Sequence, residues 1–433
     1  MSWDFNDTAI QQNIGTAEFG VEKEALRVTP EGRLSKTFHP FVQDEIDRDF
    51  CENQVEMISS VHTDVCSLFS ELTAIHHTVN ARLQGMNELL WPFSNPPVVR
   101  SEDDISIARF VGEKHERTVY RRYLADKYGK AIMLFSGIHL NFSFSEEMLR
   151  AAFRQSVETE FGQFKNGVYL ELLQKLLQYN WLIVYLTAAS PLMDESFAGL
   201  RGIEDRGRYA SPRCSEVGYW NDFLPLLDFS SIERYCESIQ QYVDSGQLYS
   251  PAELYYPLRL KPRGKYSFEA LAKNGVNHIE LRCLDLNPLS PVGLIDEDVR
   301  FIHLLIAYLM HLPKLALDEA GQRTAIENSK ASALFDDGES RIILGEKEIP
   351  LREAARAVLD EIERFALEFA PIFLPTAAYQ KEKLNRKRYA EQVRERFRDY
   401  IPDGLRLAER YRGSSCACYS GSAPSKRPEQ TNI

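Results

Sequence analysis

The chain has 433 residues, 44% hydrophobic and 26% charged, an ordinary globular composition with ample material for a large core. Its 51 Lys plus Arg against 63 Asp plus Glu leave a net charge of -12, which argues against nucleic acid as a partner, because backbone tracking needs clustered basic charge. The opening "MSWDFNDTAI" has no basic n-region or apolar h-region, and the most apolar window, "WLIVYLTAASPL", is shorter than the about 20 residues that span a bilayer, so a membrane span is excluded and a cytoplasmic location expected.

In chain order, "FGVEKEALRV" (Phe19 to Val28) reads as a strand closed by the turn Thr29-Pro30-Glu31-Gly32, and so as the first arm of a hairpin. Alternation puts Glu22, Glu24, Leu26 and Val28 on one face and Val21, Lys23, Ala25 and Arg27 on the other. "DFCENQVEMIS" follows from Asp49. Val65, Leu68, Phe69, Leu72, Ile75, Val79 and Leu83 then recur at helical spacing, predicting a helix from about Asp64 to Gly85. A second helix is predicted over 107–127, leading into "AIMLFSGIHLNFSF", read as a strand. Its even positions, Ile132, Leu134, Ile138, Leu140, Phe142 and Phe144, face the core and leave His139 and Asn141 on the opposite side. A long helix is expected over 167–188 and another near 231–245.

In "GVNHIELRCLDLNP" the same alternation sets Ile279, Leu281 and Cys283 against His278, Glu280 and Arg282. Residues 297–318 read as a helix, "RIILGEKEIPL" as a short hairpin, and most of 352–412 as helical, its basic "QKEKLNRKRY" stretch a solvated face. The seven cysteines lack metal-finger spacing and most lie in apolar patterns, so no structural disulfide is expected. The small, polar tail over 413–433 should be disordered, leaving 1–412 as one catalytic domain.

The nucleophile elbow of serine hydrolases, the Walker loop and a strand-linked G-x-G-x-x-G are all absent. What remains is carboxylates on strand faces, namely Glu22 with Glu24, Asp49 with Glu56, and Glu280, together with His139 and Arg282. Oxygen-rich sets with one imidazole suit magnesium or manganese, and such ions with arginines can neutralise a triphosphate without a P-loop. An antiparallel sheet with helices on one face and a polar site on the other would produce this pattern. The residues themselves thus point to a metal-dependent nucleotide enzyme.

Five blocks in order, "GVEKEALRV", "DFCENQVEMIS", "YRRYLADKYGKAIMLFSGIHLNFSF", "SPRCSEVGY", and "ELYYPLRLKPRG" with "GVNHIELRCLDLNPLSPVG", resemble the bacterial glutamate-cysteine ligases over roughly residues 14 to 312. The resemblance implies an α+β fold, a largely antiparallel funnel-like sheet backed by helices and related to the glutamine synthetase catalytic fold. It implies ATP as co-substrate with Mg2+ or Mn2+ held by Glu22, Glu24, Asp49, Glu56, His139 and Glu280. By the same resemblance Arg213 and Arg282 grip the transferred phosphoryl group and the substrate carboxylate, and Phe50, Tyr120, Leu124, Phe135, Tyr219 and Tyr255 line the acceptor pocket.

The implied reaction joins the γ-carboxylate of L-glutamate to the amine of L-cysteine through γ-glutamyl phosphate, the first step of glutathione biosynthesis. A γ-glutamyl ligase with another amine acceptor, and a catalytically silent metal- or nucleotide-binding relative, stay open as alternatives. Pro212 and Cys214 depart from the family pattern around Arg213, so the loop and the acceptor detail are expected to differ. Beyond about residue 320 nothing matches, and no ATP-grasp domain of the bifunctional relatives is seen, so the chain is not expected to complete glutathione alone. No obligate protein partner is evident.

Overall fold

The computed structural model describes residues 3–335, 338, 340–345 and 347–414. Seven strands form one antiparallel sheet: β1 (Ala17–Val28), β2 (Ile46–Arg48), β3 (Gln54–Ile58), β4 (Leu89–Leu90), β5 (Gly137–Phe144), β6 (Leu258–Lys261) and β7 (His278–Asp285). The order is β2-β3-β1-β5-β7-β6, with β4 paired to the end of β1. β1 is long and central because its residues satisfy both faces: Val21 and Ala25 enter one core, Leu26 and Val28 a second. The predicted first hairpin is reduced to a bridge between Val28 and Leu34; the ladder partners of β1 are β3 and β5.

One face of the sheet is aliphatic. Ile138, Leu140 and Phe142 of β5, Ile279 and Leu281 of β7, and Leu258 and Leu260 of β6 are all fully buried there. They pack on the helix Phe161–Thr187, whose Leu173, Leu176, Leu177, Trp181 and Leu182 are equally buried, and on a second layer that includes Asp296–His311. Each such side chain contributes about 1.5–3 kcal/mol of burial, so this layer holds the sheet rigid from behind. The helix starts at Phe161 rather than near Gly167: Gly162 and Gln163 of its first turn are exposed, while Phe164 already packs into the core. Helix Val65–Gln84 matches its prediction, with Asp64 accepting a hydrogen bond from Ser67 N at the N-cap. Helix Ile232–Asp244 does likewise, capped by Ser231.

Three further elements differ from the sequence reading, two of them through tertiary contacts and the third at a proline. The helix predicted from residue 107 begins at His115, because Cys51 bridges Ile107 and the Thr118 hydroxyl accepts from Phe110 N, holding that segment extended. Ala131–Leu134 is a single tight helical turn rather than strand, its amides at Lys130 and Ala131 capped by the Glu102 carboxylate, so Ile132 and Leu134 join the second core. The helix predicted over 297–318 ends at His311, just before Leu312-Pro313, and a separate helix, Glu319–Ser332, follows with Asp318 as its N-cap.

The hairpin Arg341–Leu344 with Lys347–Pro350 forms, and Leu351–Phe369, Leu374–Asn385, Tyr389–Arg396 and Tyr400–Tyr411 supply the helical C-terminal part. The tail expectation, beyond residue 414, lies outside the described residues. Cys51, Cys214, Cys236 and Cys283 are free and buried. Cys66 is disulfide-bonded, which corrects the expectation of no disulfide: it sits half-buried in a helix's first turn, outside the apolar pattern that protects the others. No described helix is long and apolar enough to cross a membrane.

Candidate active site

Strand register builds the site. Glu22 on β1 lies directly across from His139 on β5, Glu24 across from Glu56 on β3, and Glu280 on β7 across from Asn141 on β5 and Arg259 on β6. Four neighbouring strands therefore carry acid, acid, imidazole and acid in one row on the non-aliphatic face. A slip of one residue in any of them would bury these groups among leucines, so the hydrophobic back face enforces the row. The β5–β7 register shifts by one residue between Ile138 and Leu140, a bulge that turns the start of β5 beside the site.

The second core roofs this row and leaves a cavity of about 170 Å³. Around it stand Glu22, Glu24, Asp49, Glu56, His139 and Glu280; Arg213, Arg282 and Lys261; and Tyr120, Leu124, Phe135, Tyr219, Tyr255 and Ala252. Of the residues singled out from the sequence, Phe50 alone is not among the lining residues. It is buried in the second core with Leu124, Phe135 and Tyr255, behind the wall rather than on it. Lys261 was missed, although Leu258, Arg259, Leu260 and Lys261 alternate as plainly as Glu280 and its neighbours do.

His139 is the hub. Its Nδ1 lies 3.2 Å from Glu22 Oε2 and 3.6 Å from Glu280 Oε1, and its Nε2 lies 3.6 Å from Glu24 Oε1. Donor atoms of Glu22, His139 and Glu280 fall within 4.8 Å of one another. Glu280 is fully buried, and neither carboxylate oxygen has a hydrogen-bond partner among the described residues; Oε1 is 3.2 Å from Arg282 Nη1 and 3.3 Å from Lys261 Nζ. Oxygen atoms left unbonded inside a protein are costly. With one imidazole beside them they make a donor set that fits Mg2+ or Mn2+.

Electrostatics divides the row. At Glu56 burial raises the carboxyl well above the usual range, and the charges of Asp49, Glu22, Glu24 and Asp47 add to this. Burial and then Asp49 also raise Glu24, against the pull of His139 and two arginines. At Glu280 burial acts in the same sense but is outweighed by Arg282, Lys261, His139 and Arg259, which hold the group well below the usual range. Arg282 is correspondingly held above its own, with Glu280, Glu24 and Glu22 outweighing burial. One end of the row is thus an excess of acid that calls for added cations, and the other is already matched by cations of the chain.

The arginines are fixed by backbone. Arg213 Nη1 donates to the Arg282 carbonyl at 2.7 Å, and the chain passes so close that a Cβ on Gly137 would stand 2.6 Å from Arg213 Nη2 and nearer still to Cζ. Gly137 N donates to Glu24 Oε2 at 3.0 Å, so one glycine both seats an acid and admits an arginine. Pro212 begins the short turn Pro212–Cys214, capped by Ser211, and Cys214 Sγ donates to the Cys283 carbonyl at 3.2 Å. Cys214 thereby ties the Arg213 loop to the residue after Arg282. Tyr219 and Tyr255, with ring centres 4.3 Å apart and inclined by 51°, face the aromatic end, where the Tyr219 hydroxyl donates to Met133 Sδ at 3.1 Å. Arg121 Nε donates to the Asp49 carbonyl and orients that loop.

A family model described as glutamate-cysteine ligase matches residues 4–249 and 225–331. The chain belongs to the glutamate-cysteine ligase family. It is 34% identical over 429 residues to the glutathione biosynthesis bifunctional protein GshAB of Listeria monocytogenes, a match covering 94% of this chain and 56% of that protein. The GshAB of Clostridium perfringens is 33% identical over 378 residues, covering 82% and 48%. The chain thus spans about half the length of the curated relatives it matches. The crystal structure of a bifunctional glutathione synthetase from Pasteurella multocida superposes with a TM-score of 0.81 at 26% identity, covering 93% of this chain and 53% of that one. A glutamate-cysteine ligase from Francisella tularensis superposes with a TM-score of 0.83 at 23% identity over 92% and 89%, a likeness of fold. The mixed helix and antiparallel-sheet architecture is that of the family.

Proposed function

We propose that this chain is an ATP-dependent ligase that joins the γ-carboxylate of L-glutamate to the amine of L-cysteine, the first step of glutathione biosynthesis. The observation that carries the reading is the row of Glu56, Glu24, Glu22, His139 and Glu280 facing Arg213 and Arg282 in one cavity, in a member of this family. Glu22, Glu24, Asp49, Glu56, His139 and Glu280 are the residues that would hold Mg2+ or Mn2+. When bound, such ions supply charge neutralisation for the nucleotide phosphates and for the transferring group.

The chain's own groups account for the rest. Arg213, whose Nη1 donates to the Arg282 carbonyl at 2.7 Å, lines the same cavity as Arg282, and their planar donors suit both a carboxylate and a phosphoryl group. The glutamate γ-carboxylate attacks the terminal phosphorus of ATP, the bond to the bridging oxygen breaks, and ADP leaves. The amine then attacks the acyl carbon, and phosphate departs with the electron pair of the C–O bond while the amine loses a proton. Tyr120, Leu124, Phe135, Tyr219 and Tyr255 make a mainly apolar recess for the small acceptor side chain and keep water from the acyl phosphate. We take residues 1–412 as one catalytic unit, since Tyr400 donates to the Asn95 carbonyl and Tyr411 to the Pro288 carbonyl, tying the terminal helix to the sheet layer. The cytoplasm is the compartment that suits these substrates.

Acceptor comparison tests this reading. A contact-built pocket separates acceptors differing by one methyl-sized group by about 10- to 200-fold in kcat/KM. At fixed L-glutamate and MgATP, cysteine should rank first, 2-aminobutyrate second and alanine third, with ammonia and putrescine inactive. Any other acceptor in first place would transfer the assignment to a γ-glutamyl ligase of different specificity. ADP release without L-glutamate would remove the ligase reading altogether.

A further inference from the structure

β6 presents two cations on the face opposite Leu258 and Leu260, so Arg259 and Lys261 both approach Glu280 from the neighbouring strand. They are not equivalent. Arg259 is buried, and its Nη2 donates to the carbonyls of Leu254 at 2.6 Å and Ala252 at 3.3 Å, which commits it to holding the segment before β6. Lys261 stands in the cavity wall with Nζ 3.3 Å from Glu280 Oε1 and 5.5 Å from the centre of the Tyr266 ring. About one fifth of its side chain is exposed. An ammonium on a flexible stem exchanges partners readily, where a guanidinium locked by two carbonyls does not.

The carboxylate that Lys261 touches is the one whose oxygens lack hydrogen bonds among the described residues and which groups with Glu22 and His139 as a cation site. A divalent ion on Glu280 Oε1 would repel both cations beside it, Arg282 Nη1 at 3.2 Å and Lys261 Nζ at 3.3 Å, and Lys261, on its flexible stem, is the one able to swing away. Binding of the ion therefore frees a charge at the wall of the same cavity, where the ligase reading places the nucleotide's phosphates. We propose that Lys261 is a phosphate-contacting residue held in reserve: it neutralises Glu280 in the metal-free protein, yields that carboxylate to the cation, and then pairs with a phosphate oxygen of the nucleotide. The inference rests on the ligase reading but on a residue that reading does not use.

Such a residue acts on its two ligands in opposite directions, which a merely structural lysine does not. Lys261→Met keeps the stem and removes the charge. Binding of Mn2+ alone, followed by the loss of the free-ion electron spin resonance signal, should tighten by roughly threefold or more, because a competitor for Glu280 is gone. Binding of MgADP, measured by calorimetry, should weaken by about tenfold or more, the worth of one charge-assisted hydrogen bond. Lys261→Arg should retain nucleotide binding within about threefold. Lys261→Gln, measured in parallel, guards against misfolding of the more apolar variant. If both ligands weaken together, or neither changes, in variants that melt like the wild type, the assignment to Lys261 is wrong. If wild-type protein binds neither Mn2+ nor MgADP, the ligase reading and this assignment fall together.

Discussion

At the scale of single residues, the site is a balance of like charges that the fold tolerates for the sake of its ligands. Glu56 is the clearest case, since burial and four neighbouring acids oppose its ionisation. A carboxyl raised in the folded state contributes stability below its ordinary range, and that contribution is lost as pH rises through the raised value. Glu56→Gln removes the loss. The metal-free variant should melt about 1–3 °C above wild type near neutral pH, with the gap closing as pH falls through the ordinary carboxylate range. Ligase turnover should meanwhile fall by about 100-fold or more, in keeping with a lost electrostatic contact to the transferring group. Calorimetric melts at several pH values and a turnover assay on the same preparation check both; a variant equal to wild type in activity would take Glu56 out of the site. Much at this scale was legible. Alternation alone placed Glu22 with Glu24, and Glu280 with Arg282, on a polar face, whereas Arg213 and the tyrosines were reached by family resemblance because loops and tertiary walls leave no periodic signal.

At the scale of elements, β5 shows where sequence reading stops. Its core face was evident from Ile138, Leu140 and Phe142, but the strand was extended back through Ala131–Leu134, where the Glu102 cap imposes a helical turn that no local pattern announces. That boundary matters, because the true first residue, Gly137, pairs with Asp285 just before the bulge and is packed against Arg213. Gly137→Ala forces the guanidinium to move while leaving the aliphatic back of β5 untouched. Turnover should drop by about tenfold or more, with KM for L-glutamate rising, and the melting temperature should stay within about 2 °C of wild type. Unchanged kinetics would mean that Arg213 does not act from the position it holds here. The cations of β6 teach the complementary lesson, since Lys261 lay in a readable alternation and was passed over only because four residues are a short pattern.

At the scale of the molecule, two cores clamp one sheet, and the chain closes on itself at Trp91. Trp91 donates through Nε1 to the Asn95 carbonyl and meets the Tyr400 ring edge-on at 5.4 Å, while a Cβ on Gly404 would fall within 3.0 Å of three of its ring carbons. The terminal helix Tyr400–Tyr411 therefore packs where only a glycine fits. Gly404→Leu should pry this helix loose, lowering the melting temperature by several degrees through overpacking of about 1–3 kcal/mol and making the C-terminal region the first site of limited proteolysis. An unaltered melt and digestion pattern would show that the terminal helix does not belong to the catalytic unit. Nothing in the periodicity of 400–411 revealed this partner, because long-range packing is invisible to a local pattern.

The central claim is that the acid row and its arginines activate glutamate by phosphorylation, and oxygen labelling tests it most directly. L-glutamate carrying oxygen-18 in its γ-carboxylate should be incubated with ATP, Mg2+ and L-cysteine, and the released phosphate analysed by mass spectrometry. An acyl phosphate intermediate transfers one carboxylate oxygen to that phosphate, so each product phosphate should carry one labelled oxygen, with ADP as the nucleotide product. Unlabelled phosphate, or AMP with pyrophosphate, would contradict the account.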